Sequence, residues 1–197
     1  MGDSTNKRAQ LVSFLEQIQI LDQKEIEQFV ELTRIKTLNK GDYFVREGDI
    51  CREIAFVNSG MLRSYYYSST EEDITYCLTF KNAMASAYSS FITGKQTPEN
   101  IQALTDVELL TISKNQILEL EKQSHNWTTL FKHFAEQEYL KMEKRIFLLQ
   151  KETAEKRYSD LLAHEPELLQ AIPLNYLSSY LGITQRHLSR IRKSLVY

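Results

Sequence analysis

The chain of 197 residues has little of what catalytic and secreted proteins commonly need. Its two cysteines, Cys51 and Cys77, lie far apart and form no CxxC pair, which excludes a four-cysteine zinc or iron–sulfur site and fits reduced thiols in a cytosol. No stretch approaches the ~18 apolar residues of a membrane span, and the N-terminal MGDSTNKRAQLVSF has no apolar h-region. A cytoplasmic protein with no membrane partner is expected. Histidine is absent from residues 33–113, so that stretch cannot supply the His cluster of a metal-dependent barrel enzyme. His125, His133, His164 and His187 lack ligand spacing, His164 reads as a surface residue near a helix end, and no GxSxG, Walker loop, GxGxxG or HExxH occurs. The sequence therefore assigns no catalytic residue, no metal ligand and no cofactor, and it does not read as an enzyme. Acidic residues are missing from 172–197, which hold four basic side chains although the whole chain has formal charge −2. A basic tail on an acidic body points to an anionic partner for the tail.

What is present falls into three regions. Residues 1–32 carry Leu11, Phe14, Leu15 and Ile18 at helical spacing, then Asp22 as an N-cap before Ile26, Phe29 and Val30. From Thr33 the period changes to two. RIKTLNK, DYFVRE, EIAFVNSG, MLRSYYYSS, DITYCLTF, NIQALT and VELLTIS follow one another, punctuated by Gly41, Gly48, Gly60 and Gly94. Many short strands with tight turns predict a β-sandwich or closed roll, in which Tyr65, Tyr67, Tyr76 and Tyr88 line a pocket or pack the core. From Lys114 helical spacing returns, first at Ile117, Leu118 and Leu120. Trp127, Leu130, Phe131, Phe134, Leu140, Met142, Ile146 and Leu149 then place apolar faces on more than one side of a helix from about 126 to 150. Such a helix is expected to pair with a second copy of the chain; the competing reading packs Trp127, Phe131 and Phe134 on their own β-domain.

The last region reads as two short helices. Pro173 opens one carrying Leu174, Leu177, Tyr180 and Leu181, and Gly182 supplies the left-handed residue that ends it. Thr184 caps the next helix, whose buried stripe is Leu188, Ile191 and Leu195. This is a helix-turn-helix pattern. On the second helix Arg186, Arg190 and Lys193 form one polar stripe and Gln185, Ser189 and Arg192 the next, both expected to face away from the core. Arginine matches guanine O6 and N7, glutamine can pair with adenine, and Ser, Thr and Lys suit phosphate oxygens, so this face has the chemistry of a major-groove reader. His187 is expected to contact phosphate or face solvent.

KGDYFVREGDICREIAFVNSGMLRSYYY, a β-region, a long helix and IPLNYLSSYLGITQRHLSRIRKS together resemble the Crp/Fnr family of bacterial transcription regulators over nearly the whole chain. The resemblance implies an α+β protein. An N-terminal jelly roll, or double-stranded β-helix, of the cyclic-nucleotide-binding type would occupy residues 1–125. A long dimerisation helix would follow at 126–150, and a helix-turn-helix DNA-binding domain at 151–197. It further implies double-stranded DNA, a second copy of the chain, an unidentified small-molecule effector and RNA polymerase as partners. By resemblance Gln185, Arg186 and Arg190 fall on base-reading positions and Thr184 on a phosphate-contacting one; the helix-face reading adds His187, Ser189 and Lys193 to the expected DNA contacts.

Two departures qualify what the resemblance implies. Members that bind cyclic AMP hold its ribose with a glutamate and its phosphate with an arginine; Ala87 and Thr97 stand at those places, next to Ser86 and Pro98. Without the arginine the charge-assisted bonds to a buried phosphate are missing, so cyclic AMP is disfavoured, although Lys95 lies close by. Ser86, Ala87, Tyr88 and Thr97 remain the candidate ligand pocket. The second departure is that AHEPELLQAIP leaves little room for strands before the helix pair, and a β-wing is expected to be reduced or absent. The alternative reading is a ligand-sensing β-roll that acts on a protein partner without DNA binding.

Overall fold

The structure, a computed structural model, describes residues 2–164 and 172–195. The expectation about strands in AHEPELLQAIP and the side chains of His164 and Leu195 lie outside the described residues. In chain order the elements are α1 (Gly2–Ile18), α2 (Gln23–Leu32), β1 (Arg34–Leu38), β2 (Tyr43–Val45), β3 (Glu53–Ser59), β4 (Leu62–Tyr67), β5 (Asp73–Thr79), β6 (Met84–Ala85), α3 (Tyr88–Thr93), β7 (Asn100–Ala103) and β8 (Val107–Ser113). Then follow α4 (Lys114–Glu121), α5 (His125–Lys151), α6 (Ala154–His164), α7 (Leu174–Leu181) and α8 (Gln185–Leu195). The protein is α+β, with two four-stranded sheets ordered β1-β8-β3-β6 and β2-β7-β4-β5. Among the described residues no helix is long and apolar enough to cross a membrane. Two compact units emerge: residues 1–64 with 78–134, and residues 65–77 with 135–197.

The spine of the first unit is β8, whose VELLTIS is almost continuously buried because it is paired on both edges. It runs antiparallel to β1, from Arg34 opposite Thr111 to Leu38 opposite Val107, and to β3, from Glu53 opposite Ser113 to Ser59 opposite Glu108. The β3–β4 turn depends on Gly60. Its φ of +84° is left-handed, and a Cβ there would lie 2.3 Å from the Asp106 carbonyl oxygen. Leu11, Leu15, Ile26 and Phe29 of the first two helices join Phe56, Leu109 and Leu110 in one core. Asp22 caps α2 as read from the sequence, in a reciprocal capping box with Glu25. The opening turns of α5 belong to this core as well. Trp127, Leu130 and Phe131 are buried, and the Trp127 ring stacks on Phe29 at 5.9 Å between centroids.

The second unit holds the end of the β4–β5 hairpin, the rest of α5, α6 and the two helices of the turn motif. Tyr65 is buried there, but Tyr66 and Tyr67 are exposed. Tyr67 therefore does not line an enclosed pocket: it follows Tyr66 at the end of β4, where the strand runs out of the core.

Candidate nucleic-acid interface

The motif is built from α7 and α8. Leu177 and Leu181 bury one side of α7, which ends at Gly182 in the left-handed region (φ 68°, ψ 36°). The N–H of Gly182 donates to the Ser179 carbonyl and that of Ile183 to the Ser178 carbonyl, each at 3.0 Å, which reverses the chain while satisfying helix-end acceptors. Thr184 opens α8: its hydroxyl accepts the N–H of His187 at 3.2 Å and its carbonyl that of Leu188 at 3.0 Å. Leu188 and Ile191 are buried, so they fix which face of α8 points outward.

That outward face carries Thr184, Gln185, Arg186, Arg190 and Lys193, all exposed, with no acidic side chain anywhere on α8. Ser189 is half-buried at its margin. His187 sits to one side, its Nε2 3.4 Å from a carboxylate oxygen of Glu155 on α6. The Glu155 carboxyl is held below its ordinary value first by its own backbone N–H, then by the Thr153 hydroxyl, with His187 adding to both. Arg192 departs from the stripe reading. Its guanidinium lies over the Tyr158 ring of α6 at 5.8 Å, with Nε buried, and does not join the outward set. The cause is packing: α6 offers an aromatic face within reach of the long arginine stem.

Beneath the motif, Arg145 of α5 stacks on Tyr180 with its guanidinium 4.0 Å from the ring centroid. Burial pushes the Tyr180 phenol above its ordinary value, and the neighbouring Arg145 cation draws it partly back. Sequence reasoning missed Arg145 and Arg157 altogether; they donate to the main-chain carbonyls of Tyr180 and Leu181 on another helix, and carbonyls leave no signal in side-chain spacing.

The candidate ligand residues gather around the 48–53 segment. The Ser86 hydroxyl donates to the Glu53 carbonyl at 3.1 Å and lies 3.4 Å from Cys51 Sγ. Ala87 and Thr97 are buried. Thr97 donates its N–H to the Asp49 carbonyl, accepts the N–H of Gly48, and through its hydroxyl accepts that of Glu99. Tyr88 stands apart, stacked on Phe91. Lys95 is exposed, and its carbonyl accepts the Ser90 hydroxyl. Between these residues runs α3, unforeseen from the sequence, whose C-terminal carbonyls of Phe91 and Ile92 accept from the Lys114 ammonium. An open depression nearby is lined by Asp49, Cys51, Arg52, Glu53 and Gln96 among others; Ser86, Ala87, Tyr88 and Thr97 do not line it.

Comparison with known proteins matches residues 35–124 to the cyclic nucleotide-binding domain. No curated protein sequence matches the chain. Among solved structures, FixK2 from Bradyrhizobium japonicum superposes with a TM-score of 0.73 at 15% identity, covering 83% of this chain and 84% of that one. A transcriptional regulator of the Crp/Fnr family from Eubacterium rectale gives 0.68 at 19% identity, covering 88% and 83%. CLP from Xanthomonas campestris, a c-di-GMP-responsive global regulator, gives 0.66 at 16% identity, covering 88% and 91%. These likenesses show a shared fold.

Proposed function

From a chain that carries a cyclic nucleotide-binding domain within the fold of the Crp/Fnr transcription regulators, we propose that this protein is a dimeric, cytoplasmic, DNA-binding transcription regulator. The observation that carries the reading is the outward face of α8, where Thr184, Gln185, Arg186, Arg190 and Lys193 are exposed together without an acid. Arg186 and Arg190 lie one turn apart, as two forks reading base edges would. Lys193, nearer the end of the helix, suits the phosphate wall.

Dimerisation is supported by α5. Tyr139, Met142, Ile146 and Leu149 are exposed and repeat at the a and d spacing of a heptad. A two-fold pair joined along this seam presents two copies of α8 to half-sites about one DNA turn (~34 Å) apart or a multiple of it. The effector remains a small molecule other than cyclic AMP, because Ala87 and Thr97 offer neither the carboxylate nor the guanidinium that cyclic AMP binding needs. RNA polymerase is the further partner of such a regulator.

The test is selection of bound fragments from genomic DNA, followed by binding to the selected site and to scrambled DNA over a range of salt. Affinity is expected to fall steeply with salt. Arg190→Ala is expected to lose ~1–3 kcal/mol of discrimination at one base step, whereas Lys193→Ala weakens all sequences alike and reduces the salt slope by about one unit. An intact specificity ratio in Arg190→Ala removes the base-reading role. Absence of any salt-dependent DNA binding by the wild type favours the protein-partner reading instead.

A further inference from the structure

The last four carbonyls of α7 have no partner within their own helix, as at any helix end, and here the donors they find differ. Ser178 and Ser179 accept from the turn itself. Tyr180 accepts from Nη2 of Arg145 at 2.6 Å, and Leu181 from Nε of Arg157 at 3.1 Å. The same Arg157 guanidinium donates through Nη1 to the Glu152 carbonyl at 2.6 Å, just past the end of α5. One side chain of α6 thus ties the C-terminal ends of α5 and α7 together, and one side chain of α5 reaches the same helix end directly. Both bonds are charge-assisted, and both cations sit at the negative end of the α7 dipole. A third fastening comes from the hairpin: the Ser179 hydroxyl accepts the Thr75 N–H at 2.9 Å and donates to the Asp73 carbonyl at 3.3 Å.

Arg145 immediately precedes Ile146 of the exposed heptad stripe. The helix that would form the dimer seam is therefore bonded, one residue away, to the helix that leads into α8. We propose that Arg145 and Arg157 are positioning residues for DNA recognition: by clamping α7 to α5 they set the distance between the two recognition helices of the dimer, and hence the spacing of half-sites the protein accepts. The inference rests on the DNA-binding, dimeric reading above. It assigns spacing to residues that touch no DNA and leaves base identity to the face of α8.

The experiment uses full-length protein and a DNA library in which two copies of the selected half-site are separated by spacers of varied length. The wild type is expected to accept one spacer sharply. Arg145→Ala and Arg157→Ala are expected to accept neighbouring spacers almost equally and to lose about tenfold in affinity at the best one, given the strength of bonds to charged donors. Binding to a single half-site, base preference within it, and the dimeric mass in light scattering stay as in the wild type. Should Arg157→Ala unfold because it releases two helix ends, Arg145→Ala, which releases only the Tyr180 carbonyl, carries the test alone. Variants that keep the wild-type spacer preference, or that lose single half-site binding to the same degree, overturn the inference. A wild type that selects no paired site overturns the reading beneath it instead.

Discussion

Between His125 and Phe134, α5 buries Trp127, Leu130 and Phe131 against its own chain; beyond Phe134 the same helix leaves Tyr139 64% exposed, Met142 53%, Ile146 49% and Phe147 57%. The apolar spacing is equally regular in both halves. What differs is the partner. The first half meets Phe29 of α2 and Phe14 of α1, whose rings lie 5.9 Å from Trp127 and 6.1 Å from Phe134. The second half has a heptad stripe that the described residues leave exposed. Apolar periodicity reports that a helix face wants covering, and only the surrounding fold says whether an intramolecular neighbour covers it.

The sharpest way to break this contrast is to truncate one residue from each half. Trp127→Ala is expected to lower the free energy of unfolding by ~3–5 kcal/mol in chemical denaturation, because it opens a cavity in a fully packed core. Ile146→Asp is expected to leave monomer stability within ~0.5 kcal/mol and to weaken dimerisation by ~2–4 kcal/mol, read as a shift to monomer mass in light scattering. Equal stability losses in both variants would mean that the two halves do not differ. A smaller effect sharpens the contrast from the helix before it. Ser113 caps α4 in a reciprocal box with Gln116, and Ser113→Ala is expected to cost ~1 kcal/mol of unfolding free energy without changing oligomeric mass.

The smallest effect is one of pH. Glu25 joins α2 to the start of α5, accepting from the Ser124 hydroxyl at 2.6 Å and from Asn126 Nδ2 at 2.9 Å. Burial alone would raise its carboxyl, but the bonds from Ser124, Asn126 and the Asp22 backbone outweigh burial and hold it below its ordinary value. A depressed folded value means the stabilisation is present above the unfolded value and is lost as pH falls through the folded one. Loosening of the Trp127 end is therefore expected only below the ordinary carboxylate range. Proton NMR titration of Glu25 checks it, and a normal or raised value contradicts it.

Much of the helical architecture is legible in the sequence because its punctuation is local. Asp22, Gly182 and Thr184 mark helix ends through their own backbone and side-chain chemistry, and the period-two runs mark seven of the eight strands. The strand β6 is two residues long and α3 six, too short for a period to register. What holds α3 is tertiary: Lys114 on its C-terminal carbonyls and Ser90 bridging Cys51 and Lys95. The outward face of α8 was readable from Leu188 and Ile191, but stripe geometry alone could not place Arg192 on Tyr158 or His187 beside Glu155, since both partners lie on a helix about thirty residues away. The clamp of Arg145 and Arg157 was illegible for a related reason, a carbonyl having no identity in sequence.

The seat of Ser179 on β5 also bears on solubility. β5 is one of the two edge strands of its sheet, and the Asp73 carbonyl and Thr75 N–H are two of the main-chain groups by which an edge recruits a foreign strand. A single hydroxyl from α7 occupies both. A chain cut before α7 loses that shield and gains a templating edge for aggregation.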